Sequence, residues 1–319
     1  MHLSRQERRR VADALREQNP ARCNQLYRLG VLPEPKLCRG QGMQRRRLLL
    51  IGAAGVSGCV SLQMQASAQS VASLNLVSTA GRQRMLSQRV LKAYAMQALD
   101  VLPARAGTIL STSLDELRSG LALVLLAARG PLETSGKQQG ELIAKLALSV
   151  SVPPAAKTLQ AAILVSEELL NNAEALTQGF VKGGVEAPAA LLNLAARQRM
   201  LSQRAAACFL MYQTEARAPE LKQRAEFAAT QFKAALMMFD DAKSEFANIT
   251  PQLELARMQM VFFDSALHNI DNPRKEQFVT VATTSERVLS EMDAMTAEIA
   301  KQLALRNGAQ PVRKNPAGN

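Results

Sequence analysis

The sequence predicts an all-α protein built from tandem antiparallel four-helix bundles that are related by a pseudo-twofold axis. The first observation is an internal repeat, because Arg-Gln-Arg-Met-Leu-Ser-Gln-Arg occurs at 82–89 and again, 115 residues later, at 197–204. The second is composition, since helix-forming Ala, Leu, Met, Gln, Glu and Arg dominate and no stretch alternates as a strand would. The third is a series of proline and glycine breaks that divides each copy into four helical segments.

The charge distribution separates the N-terminus from the repeats. The chain of 319 residues carries a net charge of +12, which by itself would suggest a nucleic-acid binder. However, residues 1–68 contain 12 Lys and Arg against 4 Asp and Glu, which leaves 27 basic and 23 acidic residues in 69–319. We therefore expect no nucleic-acid partner for the repeats.

Residues 43–68 have the pattern of a signal peptide. A basic run at Arg45–Arg47 precedes the apolar run Leu48–Val56, and Ala66–Ala68 fits the small-x-small cleavage rule. The apolar run is shorter than the roughly 20 residues that span a bilayer. The pattern predicts export to the periplasm.

Two details of this segment leave the export route open. The pair Arg45-Arg46 resembles a twin-arginine signal, and Val56–Cys59 resembles a lipobox that would be acylated on Cys59. We rank soluble export above a lipoprotein, because the alanine site is an ordinary cleavage site. Residues 1–42, upstream of an internal methionine, are either a mis-called start or a disordered basic arm.

After the predicted cleavage, the chain offers little reactive chemistry. Only Cys208 remains of four cysteines, so an intrachain disulfide is excluded, and we expect this thiol to be a small core residue. His268 is the one histidine left, and we expect it at the surface or with its hydrogen bonds satisfied. No catalytic, metal-binding or cofactor motif is present, which predicts a protein that is not an enzyme.

The breaks give four helices in each copy. The first copy, 69–184, is predicted to hold helices at 71–101, 107–129, 139–150 and 155–178. The second copy, 185–307, is predicted to hold helices at 186–217, 220–247, 251–270 and 274–306. Residues 308–319 are predicted to be a disordered tail. The last helices are matched through Ser166-Glu167 and Ser290-Glu291, at a longer offset than the first helices.

The repeated motif predicts a helix that is buried on two sides. At about 100° per residue, one apolar stripe faces the bundle core, namely Leu86, Val90, Ala93 and Tyr94. Arg84 points away from this stripe and shares its face with small and apolar residues, as does Arg199 in the second copy. Small residues allow a close approach of backbones, so we expect the first helices of the two copies to pack against each other.

Such packing would bring Arg84 and Arg199 together in a partly dry interface. Guanidinium groups do not deprotonate, so two of them at close range require a counter-charge. Neither motif contains an acidic residue, and planar arginine forks match small oxyanions such as nitrate, nitrite or carboxylate. The sequence therefore predicts one anion between Arg84 and Arg199, with further hydrogen bonds from Gln88 and Gln203.

The alternative is that the arginines serve helix packing. Arginines that border a core stripe usually pair with acids of neighbouring helices, and on this alternative Arg82, Arg89, Arg197 and Arg204 would do so. Acidic partners are available on other helices: Asp115, Glu116, Glu167 and Glu168.

The segment Ala80–Arg89 resembles the signature of the PilJ/NarX-type sensor domain, the periplasmic domain of nitrate/nitrite sensor kinases and of type IV pili chemotaxis transducers. This resemblance implies a four-helix bundle whose first helix carries an Ala-Gly-x-x-Arg-Met-x-x-x-Arg box. It also implies one nitrate held between the arginines of two subunits. Tandem duplication would replace that homodimer within one polypeptide.

The resemblance assigns roles to individual residues. The ligand arginine of the box matches Arg84 and Arg199, and the later arginine matches Arg89 and Arg204. The box glycine, whose backbone lies near the anion, matches Gly81. The second copy departs from the box, because Ala196 stands at that position.

These observations predict an exported periplasmic binding or sensor-like protein for a small oxyanion, preferably nitrate or nitrite. No transmembrane helix follows the repeats in this sequence, so we expect any signal to pass through a membrane sensor or transducer partner. The alternative is a helical adaptor of a chemotaxis, pilus or envelope system that has no small ligand.

Overall fold

Proline marks the start of most helices in this chain, because its fixed φ and missing N–H suit the first helical turn. A computed structural model describes residues 58–182, 188–242 and 246–309 and contains helices and connections but no strand in those ranges. The helices are α1 Gly58–Ala98, α2 Pro103–Ala127, α3 Pro131–Ser149, α4 Ala156–Lys182, α5 Pro188–Tyr212, α6 Pro219–Ala242, α7 Thr250–His268 and α8 Lys275–Ala309, with a 3-10 turn at Ala247–Ile249.

The predicted all-α class is confirmed, and each predicted helix has a counterpart. The largest boundary errors are at the start of α1, which begins at Gly58 and not at 71, and at the start of α3, which begins at Pro131 and not at 139. Gly136 lies inside this helix, and a methyl group there would lie 2.9 Å from Cδ2 of Leu125. This glycine therefore permits close packing of α3 on α2 and does not end the helix.

Several predicted features fall at the limits of the described ranges. The 1–42 segment and most of the predicted signal peptide lie outside them, as do residues 183–187 and 310–319. Helix α1 begins at Gly58, inside the segment predicted as a signal peptide.

Helix α1 lies at the centre of the packing. It contacts α2, α4, α5 and α8, while α5 in turn contacts α6 and α8. The remaining neighbours are α2 with α3, α3 with α4, α6 with α7, and α7 with α8. The helices form one compact unit in which α1 and α5 are the shared elements.

This central position explains why α1 is buried on all sides from Val77 to Met96. The predicted core stripe is confirmed, because Leu86, Val90, Ala93 and Tyr94 are at most 1% exposed. The opposite face is buried as well, as expected for a helix with two apolar stripes.

The two residues of potential reactivity behave as expected. Cys208 is buried in the core, and burial raises the pKa of its thiol to about 12, so the thiolate does not form at neutral pH. His268 is exposed at the end of α7. In the part of the chain that the structure describes, no helix combines the length and apolarity needed to cross a membrane.

Two phenylalanines of α6 provide a matched test of this core. We expect Phe232→Ala to lower the free energy of unfolding by roughly 3–5 kcal/mol, because Phe232 is fully buried among α5, α7 and α8 residues. Phe227→Ala should change it by less than about 0.5 kcal/mol, because Phe227 is 63% exposed. Urea unfolding followed by circular dichroism measures both, and equal effects would contradict this packing.

Candidate anion site at the contact of the two copies

The motif helices α1 and α5 pack against each other through their small residues, as the sequence predicts. A methyl group added to Gly81 would lie 3.5 Å from Cβ of Ala196, which is ordinary van der Waals contact across the two helices. This close approach also buries the arginine at the equivalent position of each motif: Arg84 is 0% exposed and Arg199 is 3% exposed.

Every nitrogen of the Arg84 guanidinium has a partner. Nη1 donates to Glu174 Oε2 on α4 at 2.6 Å, and Nη2 donates to Asn193 Oδ1 on α5 at 3.0 Å. Nε donates to the carbonyl oxygen of Gly81 at 3.4 Å. Each guanidinium nitrogen of Arg84 is therefore engaged by a group of the protein.

Arg199 is satisfied on one nitrogen only. Its Nη1 donates to Asp293 Oδ1 on α8 at 2.8 Å. Its Nε and Nη2 are buried and have no hydrogen-bond partner among the described residues. These two N–H groups lie on the same edge of the guanidinium plane, which is the edge that binds planar oxyanions bidentately. A buried pair of unpaired charged donors is costly for a protein to keep.

The electrostatics of both arginines follow from burial. Burial lowers the pKa of Arg84 and of Arg199, and the nearby carboxylates offset this only in part. Burial also acts to raise the pKa values of Glu174 and Asp293, but the adjacent arginines outweigh it and hold both below the ordinary value. Both carboxylates are therefore ionised at neutral pH.

The premise that the protein supplies no counter-charge to these arginines is wrong. Glu174 and Asp293 provide it, from α4 and α8, at sequence separations of 90 and 94 residues from their partners. The two pairs are equivalent in the duplication, because each joins the first helix of a copy to the last helix of the same copy. An external anion is thus not required to neutralise Arg84. The edge of Arg199 formed by Nε and Nη2, called here the open edge, still lacks a partner among the described residues.

A second pair of arginines adds positive charge to this contact. Arg82 donates to Glu116 at 2.9 Å and also to Asp293 at 2.9 Å, so Asp293 serves two arginines. Arg197 lies close enough to Glu174 to contribute to the lowering of its pKa, after the larger effects of burial and Arg84. The position 115 residues after Glu116 is Gln231, which is uncharged.

The cluster therefore holds an excess of positive charge. It contains four guanidinium groups, from Arg82, Arg84, Arg197 and Arg199, and three carboxylates, from Glu116, Glu174 and Asp293. The missing carboxylate is the one that Gln231 replaces in the second copy.

The later arginines of the motif tie the two copies to each other. Arg89 binds Glu286 on α8 through Nε at 3.1 Å and Nη2 at 2.6 Å. Arg204 binds Glu167 on α4 with two hydrogen bonds of 2.8 Å. The structure thus gives Arg89 and Arg204 carboxylates of the protein as partners, as the packing alternative expects.

A buried lysine strengthens one of these ties. Nζ of Lys92, which is fully buried, donates to Glu286 Oε1 at 2.5 Å and to Ser285 Oγ at 3.0 Å. Burial lowers the pKa of Lys92 to about 8, with Glu286 opposing. Burial also acts to raise the pKa of Glu286, but Lys92 and Arg89 together hold it at about 2. Two cations, Arg89 and Lys92, therefore share the single carboxylate of Glu286.

The motif glutamines bind the last helix of their own copy. Gln88 Nε2 donates to Ser166 Oγ at 3.0 Å, and Gln203 Nε2 donates to the carbonyl oxygen of Ser285 at 2.9 Å. Their amide donors are therefore engaged away from the open edge of Arg199. The equivalent residues on the last helices are Ser166-Glu167 and Ser285-Glu286, an offset of 119 residues, and not Ser290-Glu291.

Comparison with known proteins adds no relative. No family model, no curated protein and no solved structure matches the chain. Within the described ranges, no three His, Cys, Asp or Glu side chains are grouped so that they would hold a metal ion.

The buried carboxylate Glu286 predicts a loss of stability in acid. Its pKa is lowered, so its stabilising contribution is complete above about pH 4.5 and disappears as the pH falls toward 2. We expect the free energy of unfolding to fall by roughly 1–3 kcal/mol from this group over that window. Denaturant titrations at a series of pH values, followed by circular dichroism, measure the slope.

Two matched variants assign that slope. Glu286→Gln should be less stable at pH 7 and should show a shallower fall in acid, whereas Glu141→Gln, an exposed α3 residue, should keep the slope of the unchanged protein. An unaltered slope in Glu286→Gln would show that this carboxylate is not the group responsible.

Proposed function

We propose that the protein is an exported binding or sensor-like protein that holds one small planar oxyanion, preferably nitrate or nitrite, at the contact between its two copies. The observation that carries the proposal is that two buried N–H groups of Arg199, Nε and Nη2, have no hydrogen-bond partner within the described ranges. A planar oxyanion that accepts from both nitrogens would satisfy the two donors at once.

The protein itself contains the interaction that the ligand would make. In the Arg89–Glu286 pair, the same guanidinium edge binds two oxygens of one planar carboxylate, at 3.1 and 2.6 Å. Nitrate and nitrite present two oxygens on one central atom in a similar arrangement. The open edge of Arg199 thus fits the class of ligand that the edge of Arg89 already binds.

The charge balance favours a monovalent anion. Four arginines face three carboxylates around the α1–α5 contact, so one negative charge would complete the balance. A divalent anion would leave an uncompensated negative charge in a buried place, which is costly.

Access to the edge requires motion of the helices. Nε and Nη2 of Arg199 are shielded from solvent, so an anion would enter only when the contact around them loosens. Binding would then favour the closed contact, and a change in the anion concentration would alter how firmly α1 and α5 are held together. This coupling is what a sensor-like protein needs.

The wider assignment rests on the motif and on the helix neighbours. Each copy has a closed cycle of neighbouring helices, α1–α2–α3–α4 and α5–α6–α7–α8, which supports tandem four-helix bundles about a pseudo-twofold axis. The box Ala80–Arg89 supports kinship with the PilJ/NarX-type sensor domain, and the basic and apolar segment at 43–68 supports export to the periplasm. A membrane sensor or transducer is the partner this assignment implies.

A second candidate function, a helical adaptor, is favoured by a different surface. Large apolar side chains on α6 and α7 are more than half exposed: Phe227, Met237, Met238, Met258, Val261 and Phe262. Exposed apolar groups in this number are typical of protein-binding faces. On this reading the buried arginines only hold the two copies together.

Calorimetric titration of the purified full chain with nitrate, nitrite, sulfate and chloride tests the first candidate. We expect saturable binding of nitrate or nitrite and weaker binding of sulfate, because of the charge balance. Arg199→Lys should abolish it, since an ammonium keeps the charge but lacks the planar edge. Arg118→Lys, on an exposed arginine of α2, is the matched control and should bind as the unchanged protein does. A folded protein that binds none of these anions would leave the adaptor as the better account.

A further inference from the structure

We infer that the two copies are not equivalent as binding sites, and that Asn193 confines the anion to Arg199. This inference rests on the proposed function and deepens it. Asn193 and Gly81 occupy the edge of Arg84 that an anion would otherwise use. The 115-residue repeat makes Ser78 the equivalent of Asn193 and Ala196 the equivalent of Gly81 for Arg199. The duplication thus retains one open site and one closed site.

The closed site shows what an oxyanion would replace. Nη2 of Arg84 donates to Asn193 Oδ1 at 3.0 Å, and Nε donates to Gly81 O at 3.4 Å. Two neutral oxygens therefore occupy the edge to which a bidentate anion would bind. With Nη1 on Glu174, all three guanidinium nitrogens of Arg84 are engaged, and the edge formed by Nε and Nη2 is occupied.

The residue that closes the first site has no equivalent in the second. The position 115 residues before Asn193 is Ser78, a partly buried residue of α1. The oxygen of a serine is attached to Cβ, whereas that of an asparagine lies one bond further along the side chain. Ser78 therefore does not reach as far as Asn193 does, and Nη2 of Arg199 has no acceptor in the part of the chain that the structure describes.

The glycine of the motif box makes the second difference. A methyl group on Gly81 would lie 3.0 Å from Nη2 of Arg84, which is tighter than ordinary contact. Ala196 carries that methyl group in the second copy, so Arg199 is hindered from adopting the same conformation. This hindrance explains why Nε of Arg84 reaches the carbonyl of Gly81, while Nε of Arg199 has no partner among the residues that the structure describes.

Exchange of the two side chains tests the inference. We expect the unchanged full chain to bind one nitrate, and we expect Ser78→Asn to weaken the binding by roughly tenfold or more, because an internal acceptor competes for Nη2. Asn193→Ser should still bind one nitrate at Arg199, because Asn193 bonds Arg84 and not Arg199, and because one negative charge completes the charge balance of the contact. Isothermal titration with nitrate measures both quantities.

Exposed substitutions of the same chemistry serve as matched controls. Ser111→Asn on α2 and Asn269→Ser after α7 should bind nitrate as the unchanged protein does. If Ser78→Asn fails to fold, Ser78→Asp replaces it: its carboxylate would act as an internal anion for Arg199, abolish nitrate binding and raise the midpoint of thermal unfolding.

The outcomes separate this inference from the proposed function. Absence of nitrate and nitrite binding in the unchanged protein would overturn the proposed function itself. Normal binding in the unchanged protein, with Ser78→Asn or Ser78→Asp folded and equally competent, would overturn only the assignment to Arg199. Loss of binding in Asn193→Ser would also overturn it, because that result requires a ligand shared between Arg84 and Arg199.

Discussion

The arrangement of the helices depends on one constraint, which is that a buried guanidinium group keeps its charge. Arg84 and Arg199 are almost fully enclosed, and arginine cannot escape the cost of burial by losing its proton. A carboxylate must therefore lie beside each of them. Glu174 and Asp293 meet this need only if α4 packs on α1 and α8 packs on α5, so the ion pairs determine which helices are neighbours.

The same constraint links the two copies. Arg89 pairs with Glu286 of the second copy, and Arg204 pairs with Glu167 of the first, so each motif helix depends on the other copy for part of its neutralisation. Apolar packing alone would tolerate a slide or rotation of α1 on α5. The bidentate ion pairs that join α1 to α8 and α5 to α4 tolerate neither, because their geometry is directional.

The sequence predicts the helices better than it predicts their electrostatic partners. Proline and glycine reveal the helix ends because they act locally, although Gly136 shows that a glycine also serves close packing. The repeated octapeptide predicts the contact of the first helices, because its identity in the two copies aligns their buried faces residue by residue. Sequence patterns alone do not identify Glu174 and Asp293 as equivalent partners, because one is a glutamate and the other an aspartate, and because they follow an offset of 119 residues whereas the motifs are 115 apart. That offset becomes visible once Ser166-Glu167 is aligned with Ser285-Glu286, which also aligns the buried pair Thr177 and Thr296.

The spacing of the ion pairs along the chain has a consequence for biosynthesis. Arg82 and Asp293 are separated by 211 residues, and Arg89 and Glu286 by 197. The N-terminal copy, which already contains Glu174 for Arg84, is therefore completed before Asp293 and Glu286 have been made for Arg82 and Arg89. Arg82 and Arg89 of α1 must stay hydrated until α8 has been synthesised, because burying them earlier would leave their charges without these carboxylates. Closure of the contact is thus a late step with a large loop to close, and folding of the first copy alone stops short of the native packing.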